Sequence, residues 1–301
     1  MATNILAIDI GGSKISVGIM DELGKIIENY KSVLPKEYDQ NYILDSIYGL
    51  IEPLMKYQPK AIGIAVPGLT DAKSGVWKYA PFSGVSEFRI CDIISQKTGL
   101  PCFAENDVNV CAIGEKFYGC TKDDENFIWV TISNGVGGAI YLNGELFVGN
   151  RGNAGEIGHF YVNDKTYICG CGRRGCLETF ASGQAISREY QKRTGRIVTA
   201  KEISELARKG EKQALEVFNR AGSALGKAFS YCVNLLNINK IVVGGGVSSS
   251  LDLIMPSVEK TLKKYVFEQA NDKLIVIQTA LGYDAALIGA GALAQKNMKI
   301  L

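Results

Sequence analysis

The chain contains a repeat. Ile5–Ile10 is a short apolar run broken by Gly11-Gly12-Ser13; residues 15–20 alternate, 21–24 form a turn, and 25–30 return. About 122 residues later the same order recurs. Phe127–Ile132 leads into a glycine loop at 133–138, residues 139–142 follow, Asn143-Gly144 marks a hairpin turn, and 145–148 close the unit. Two copies of a three-stranded unit, each continuing into a helix and a strand, predict a two-lobed α/β protein. Its interlobe cleft is the default ligand site.

The remaining segments fit that plan. Residues 42–55 read as a helix, and 61–66 as a strand stopped by Pro67-Gly68. Ile90–Thr98 reads as a helix, 101–105 as a strand and Asp107–Tyr118 as a helix. Thr199 and Glu202 have capping-box spacing. Residues 211–236 are a long amphipathic helix, 241–243 a strand entering Gly244-Gly245-Gly246, Ile275–Gln278 the last strand and 285–295 the last helix.

Composition narrows the functional classes. Lys+Arg minus Asp+Glu is 33 − 31 = +2, which gives no footprint for nucleic acid or an anionic membrane. No apolar run approaches the roughly 18 residues of a spanning helix. The first nine residues lack a basic segment and reach an acid at Asp9, so a cytoplasmic location is expected. Glycine is 34 of 301 residues, above the usual share of about 7%, which points to backbone approaching ligands or entering positive φ.

Five constellations carry candidate chemistry. Asp9, Gly11, Gly12, Ser13 and Lys14 form a strand-end hairpin whose N–H groups suit phosphate oxygens, with Asp9 placed for a hydrated Mg²⁺; an ordinary turn with a solvated acid is the alternative. Asn134, Gly135 and Gly137 lie in the repeat partner of that loop. Gly244, Gly245 and Gly246 suit approach to a nucleoside, or serve as a flexible connection. Glu105, Asn106, Asp107 and Asn109 sit between a strand and a helix. A carboxylate there is either a helix cap or a base for a substrate hydroxyl, and a cap carboxylate that stays ionised serves as both.

The fifth is the most specific. His159 is the only histidine, and Cys169, Cys171 and Cys176 follow within seventeen residues of it. Three thiolates and one imidazole make a closed tetrahedral set for structural Zn²⁺, with glycines at 170, 172 and 175 letting the sulfurs converge; free thiols beside an unrelated histidine are the alternative. Glu156 and Glu178 flank the knuckle, either as acceptors for hydroxyls of a polar substrate or as solvated charges.

Together these motifs resemble the ROK family (repressors, open reading frames, kinases) of the actin-like sugar kinase superfamily, nearly end to end. The resemblance rests on Asp9-Ile-Gly-Gly-Ser-Lys14, Gly63-Ile-Ala-Val-Pro-Gly68, Glu105-Asn-Asp-Val-Asn109, and Gly155-Glu-Ile-Gly-His159 with the knuckle and Glu178. Val243-Gly-Gly-Gly246 and Asp284-Ala-Ala-Leu-Ile-Gly289 complete it. It implies an actin-like, ribonuclease H-like fold with an N-terminal lobe at 1–119 joined by the C-terminal helix 285–301. A C-terminal lobe at 120–284 would carry the zinc knuckle and dimerising helices. It also implies ATP-dependent phosphorylation of a hexose, usually at O6, with Asp107 as general base. Gly68, Asn106, Asp107, Glu156, His159 and Glu178 would bind the sugar, His159 while ligating zinc. The two glycine loops would cradle the phosphates with Mg²⁺, and 244–246 would border the nucleotide. Homodimers are implied; the charge balance adds the expectation of no nucleic-acid or membrane partner.

Three positions depart from the family. Ser13 and Asn134 stand where threonine is usual, and Phe82-Ser83 falls where glucokinase-like members carry a sugar-binding asparagine. Glucose or a related hexose is the expected substrate, with N-acetylmannosamine, fructose, mannose and allose as alternatives. The family's other arm is sugar-sensing repressors with a helix-turn-helix ahead of the first loop. Here eight residues precede Asp9, so a kinase is expected over a regulator.

Overall fold

The structure is a computed structural model that describes residues 3–80, 84–163, 167–267, 269 and 273–301; Phe82 and Ser83 lie outside the described residues. The chain forms two compact units, one of residues 1–124, 146–154 and 279–301, the other of 125–145 and 155–278. Residues 146–154 thus cluster with the first unit, a return that a lobe running unbroken from 120 to 284 does not contain.

The first unit holds β1 (Ile5–Ile10), β2 (Lys14–Met20), β3 (Ile26–Val33), α1 (Gln40–Ile51), β4 (Ile62–Val66), β5 (Leu69–Asp71), β6 (Val76–Ala80), β7 (Val85–Phe88), α2 (Ile90–Thr98), β8 (Cys102–Asn106) and α3 (Asp107–Tyr118). Its main sheet has the order β3-β2-β1-β4-β8. The hairpins are antiparallel, while β1–β4 and β4–β8 are parallel. All five residues of β4 are buried, as expected of a strand covered on both faces. The helix read at 42–55 is shorter. Asp39 caps α1 by accepting from the Tyr42 N–H, and a 3-10 turn at Glu52–Tyr57 follows, because Pro53 has no N–H to continue the helix. The polar stretch after β4 folds as a separate sheet, β5-β6-β7, too short in each strand for periodicity to reveal it. The buried Trp77 indole donates to the Pro67 carbonyl (2.7 Å) and ties that sheet to the Pro67-Gly68 turn.

The second unit repeats the topology. It holds β9 (Phe127–Ile132), β10 (Val136–Leu142), α4 (Glu178–Ala181), α5 (Gly183–Thr194), α6 (Ala200–Arg208), α7 (Lys212–Leu236), β12 (Lys240–Gly244), α8 (Leu251–Tyr265) and β13 (Ile275–Gln278); the unit boundary falls after the first residue of β11 (Glu145–Phe147), and the strand order is β11-β10-β9-β12-β13. The loop read at 133–138 is only three residues long, since Val136 already pairs with Ile132. Gly137 and Gly138 are strand residues, and a Cβ at Gly138 would stand 2.9 Å from the Gly155 carbonyl. Close approach, rather than a turn, explains the glycine at 138. The Thr199–Glu202 capping box forms as expected. No helix among the described residues is long and apolar enough to cross a membrane.

The last helix, α9 (Ala285–Asn297), lies in the first unit. Its small residues are buried on almost every side, which explains the absence of a clear amphipathic stripe. A Cβ on Gly63 of β4 would come within 1.8 Å of the Ala290 carbonyl, and one on Gly289 within 2.0 Å of the Val110 carbonyl in α3. Helix α9 therefore rests on bare backbone from two neighbours. Buried Glu115 of α3 reinforces this, accepting from the Thr279 hydroxyl and from the N–H groups of Ala280 (3.1 Å) and Cys120 (2.9 Å).

Gly63→Ala is expected to lower unfolding stability by about 1–3 kcal/mol or more, the cost of overpacking a closed contact. Gly49→Ala, on an exposed face of α1 with no atom within 4 Å of the added carbon, is expected to raise stability by up to about 1 kcal/mol. Urea unfolding of both variants checks the pair.

Candidate active site and metal cluster

Asp9 is the penultimate residue of β1, and the sheet register places Ser16 of β2 and then Lys31 of β3 beside it. Burial pushes its carboxyl up to about 6; Lys14 and Lys31 oppose the rise, and the charge of Asp284 at the start of α9 adds to it. Lys31 and Asp284 are contributions that motif spacing alone does not assign, because they arrive through register and through the return of α9. In the adjoining hairpin the Gly11 N–H donates to the Lys14 carbonyl (2.9 Å). Neither Gly11 nor Gly12 has positive φ. Gly12, Ser13 and Lys14 are exposed.

Asn106 ends β8 and caps α3. Its Oδ1 accepts from the N–H groups of Val108 (2.9 Å) and Asn109 (3.2 Å), and its Nδ2 donates to the Gly68 carbonyl (3.0 Å) and to Asp107 Oδ1 (3.1 Å). The amide thus joins three residues that the sequence names separately. Gly68 has φ +82°, and a Cβ there would stand 2.2 Å from the Tyr79 carbonyl, so only glycine lets the turn present its carbonyl in this way.

Asp107 opens α3 and also accepts from the Val108 N–H (3.0 Å). Burial, and then the nearby Asp9 charge, raise its carboxyl to about 7 against the hydrogen bonds of Val108 and Asn106. A carboxylate titrating near neutrality at a helix N-terminus is suited to accept a proton. Glu105 takes a different role. It is buried, accepts from the N–H of Asn106 (2.6 Å) and from Asn109 Nδ2 (3.1 Å), and braces the strand end. The cap reading of this segment holds at Asn106, with the Asp107 carboxylate beside it.

In the second unit, Glu178 begins α4 and accepts from the Val136 N–H (3.1 Å) at the exit of the 133–135 loop. A Cβ on Gly135 would stand 2.5 Å from Glu178 Oε2, so this glycine is what admits the carboxylate. Asn134 is exposed at the loop tip. Gly244 ends β12. Gly245 has φ +83° and lies against the end of β9, where a Cβ would meet the Ile132 carbonyl at 2.6 Å. Gly246 opens a 3-10 turn at Gly246–Ser250 with free space at its Cα. The two glycine segments, 133–135 and 244–246, therefore meet at the end of β9.

The knuckle is a small ribbon, with bridges Tyr161–Cys176 and Ile168–Arg174, and positive φ at Gly172 and Gly175. It brings His159, Cys169, Cys171 and Cys176 together with all four ligand atoms within 4.8 Å of one another. Cys169 Sγ is 3.6 Å from His159 Nδ1, and Cys171 Sγ is 3.6 Å from Cys176 Sγ. A tetrahedron with Zn–S near 2.3 Å and Zn–N near 2.0 Å has edges of about 3.5–3.8 Å, so the donors fit this ion. The Arg173 backbone N–H, with its side chain, lowers Cys171 to about 6, which favours the thiolate a metal needs. His159 Nε2 points away from the sulfurs toward Glu156 Oε2 (3.8 Å). Glu178 Oε1 lies 3.8 Å from Cys169 Sγ, so the knuckle and the 133–135 loop share one carboxylate.

Comparison with known proteins places this geometry. The transcriptional regulator NagC of Escherichia coli is 30% identical over 97% of this chain and 75% of its own length. The glucokinase of Thermotoga maritima is 28% identical over 98% of both. The structure of a ROK family glucokinase from Streptomyces griseus, in complex with glucose and AMPPNP, matches with a TM-score of 0.86 at 30% identity, covering 98% of this chain and all of that one. The ROK family profile itself matches residues 5–297, and the chain belongs to that family, with the α/β fold of its sugar kinases.

Proposed function

We propose that the protein is an ATP-dependent hexose kinase acting on O6 of glucose or a closely related hexose, with Asp107 as general base. The observation that carries the proposal is the Asp107 carboxyl, raised to about 7 and oriented by Asn106. As the sugar oxygen attacks the γ-phosphorus, its proton passes to Asp107 and ADP leaves. Asn106, the Gly68 carbonyl, Glu156, His159 Nε2 and Glu178 hold sugar hydroxyls. The exposed hairpin at 11–14 and the loop at 133–135 receive phosphate oxygens, and Gly244–Gly246 border the nucleoside. Phosphoryl transfer asks mainly for position and charge compensation, which these groups supply. Asp9, half-buried and reluctant to ionise alone, is the residue that would hold a hydrated Mg²⁺, whose charge would offset that of the triphosphate. Zinc on the four knuckle donors would fix the His159 ring and leave Nε2 free for substrate. Homodimer assembly belongs to the same proposal, and the solution mass by light scattering tests it.

NagC supports a second reading, a non-catalytic sugar-sensing regulator. A coupled ADP-release assay with Mg-ATP and a panel of glucose, fructose, N-acetylmannosamine and other hexoses separates the two. Turnover on one sugar supports the kinase and names its substrate; sugar binding by calorimetry without turnover supports the regulator.

Asp107→Asn is expected to cut kcat by at least about a hundredfold, within the range for a general base, while sugar affinity stays within a few-fold. In the wild type, kcat/KM should fall about tenfold per pH unit below roughly pH 6–7, following the Asp107 carboxyl. The same rise has a cost in stability. Between the unfolded value of 3.8 and about 7 the folded form holds a proton that the unfolded chain has released, so stability falls as pH rises through that window. Asp107→Asn should therefore melt higher than wild type at pH 8, by on the order of 2 kcal/mol, with the difference gone below about pH 4. Elemental analysis should find about one zinc per chain. Cys171→Ser should lower both zinc content and melting temperature and raise the sugar KM.

A further inference from the structure

Arg208, the last residue of α6, ties that helix to the turn through which β12 enters α8. Its Nη2 donates to the Ser249 carbonyl (2.9 Å) and to Asp252 Oδ1 (2.8 Å), and its Nε donates to Asp252 Oδ2 (3.2 Å). Its Nη1 donates to the Ser204 hydroxyl (3.3 Å), one turn back along α6, whose own proton goes to the Lys201 carbonyl (2.7 Å). One guanidinium therefore spans a carbonyl inside the 246–250 turn and both oxygens of an acid in the first turn of α8. A planar, five-donor fork makes such a bridge; a point-charge ammonium does not.

The turn has little else to hold it. A short 3-10 segment has poorer hydrogen-bond geometry than an α-helix. Here the Ser248 N–H donates to the Gly245 carbonyl (3.0 Å) and the Ser249 hydroxyl to the Gly246 carbonyl (3.0 Å). Ser250 stands at the N-cap of α8 with no side-chain hydrogen bond to the helix, so no cap fixes where the turn ends. Packing seats the start of the turn. A Cβ at Gly183 would lie 3.1 Å from the Ser133 carbonyl, 3.5 Å from Val247 Cγ2 and 3.8 Å from Ala200 Cβ. Val247, the start of α6 and the 133–135 loop thus close on one point, and Arg208 grips the far end of the turn from the other end of the same helix. Gly246, just ahead of Val247, is exposed. The Arg208 and Asp252 side chains are 42% and 57% exposed, and an ion pair that wet adds little to global stability, so its effect is local.

We propose that Arg208 is a positioning residue for the nucleotide: through Ser249 and Asp252 it locks the 246–250 turn and so sets the Gly246 backbone that the nucleoside meets. The inference rests on the reading of Gly244–Gly246 as the nucleoside border.

The test is calorimetric titration of Mg-ADP into the wild type, Arg208→Gln, Asp252→Ala and the double variant, with the melting temperature of each. Arg208→Gln should weaken Mg-ADP binding about tenfold, the order expected when a charged donor is lost. Asp252→Ala should weaken it less, about threefold, because the bond to the Ser249 carbonyl survives. The double variant should bind no more weakly than Arg208→Gln alone, since both residues act through one bridge. All three variants should melt within about 3 °C of wild type. Wild-type affinity in Arg208→Gln overturns the proposal. So do losses that multiply in the double variant, which separate the two roles, and so does a large fall in melting temperature that accompanies the lost affinity, which makes Arg208 structural only. A wild type that binds no Mg-ADP removes the nucleoside reading and this inference with it, a result distinct from nucleotide binding that ignores Arg208. Should Arg208→Gln fail to fold, Asp252→Ala decides the matter, and unchanged affinity there overturns the proposal.

Discussion

Backbone-to-backbone contact at Gly63, Ala290, Gly289 and Val110 fixes the first unit. A helix normally stands off a sheet by the length of its side chains; here α9 has no room for a Cβ at either glycine contact. That closeness sets where Asp284 begins the helix and how α3 lies beside it, with Glu115 holding the Thr279-Ala280 corner. Asp9, Asp107 and Asp284 reach one neighbourhood because β1, α3 and α9 cannot slide past one another. Dense packing of this kind transmits small displacements, so the acids are held more tightly than their flanking loops would hold them.

Those acids are an expense that the fold carries elsewhere. Desolvation dominates the rise at both Asp9 and Asp107, with the Asp284 charge adding to it at Asp9 and the Asp9 charge at Asp107. Packing across β1, β4, α3 and α9 supplies the compensation, and Asn106 supplies direction. Its amide spends one oxygen on two helix N–H groups and its nitrogen on Gly68 and Asp107, leaving Asp107 with a fixed oxygen and a free one. The cap and the carboxylate beside it are one device, because the same hydrogen bonds that end the strand also aim the acid.

The sequence is most legible where local chemistry dictates structure. The doubled hairpin, the α3 boundaries, the Thr199 box and the Cys/His set are all local patterns, and the structure reproduces them. Sheet β5-β6-β7 escapes because strands of three to five residues carry too few alternations to read. Gly138 is misassigned to a turn because a glycine needed for close approach looks the same in sequence as one needed for positive φ. Lys31 becomes relevant to Asp9 only through two strand registers, and Val136 to Glu178 only through a contact spanning 42 positions; no spacing rule reports either.

Glu178 shows how the second unit couples its parts. One oxygen accepts from Val136 at the glycine loop, and the other faces Cys169 of the knuckle. Gly135 admits the first contact, and the ribbon turns at Gly172 and Gly175 set up the second. The loop and the knuckle thus meet the same side chain, at 3.1 and 3.8 Å. A metal on His159 and the three cysteines would act at a distance in this sense, without touching substrate. A closed four-donor set suits that role better than chemistry, since it leaves no coordination position open.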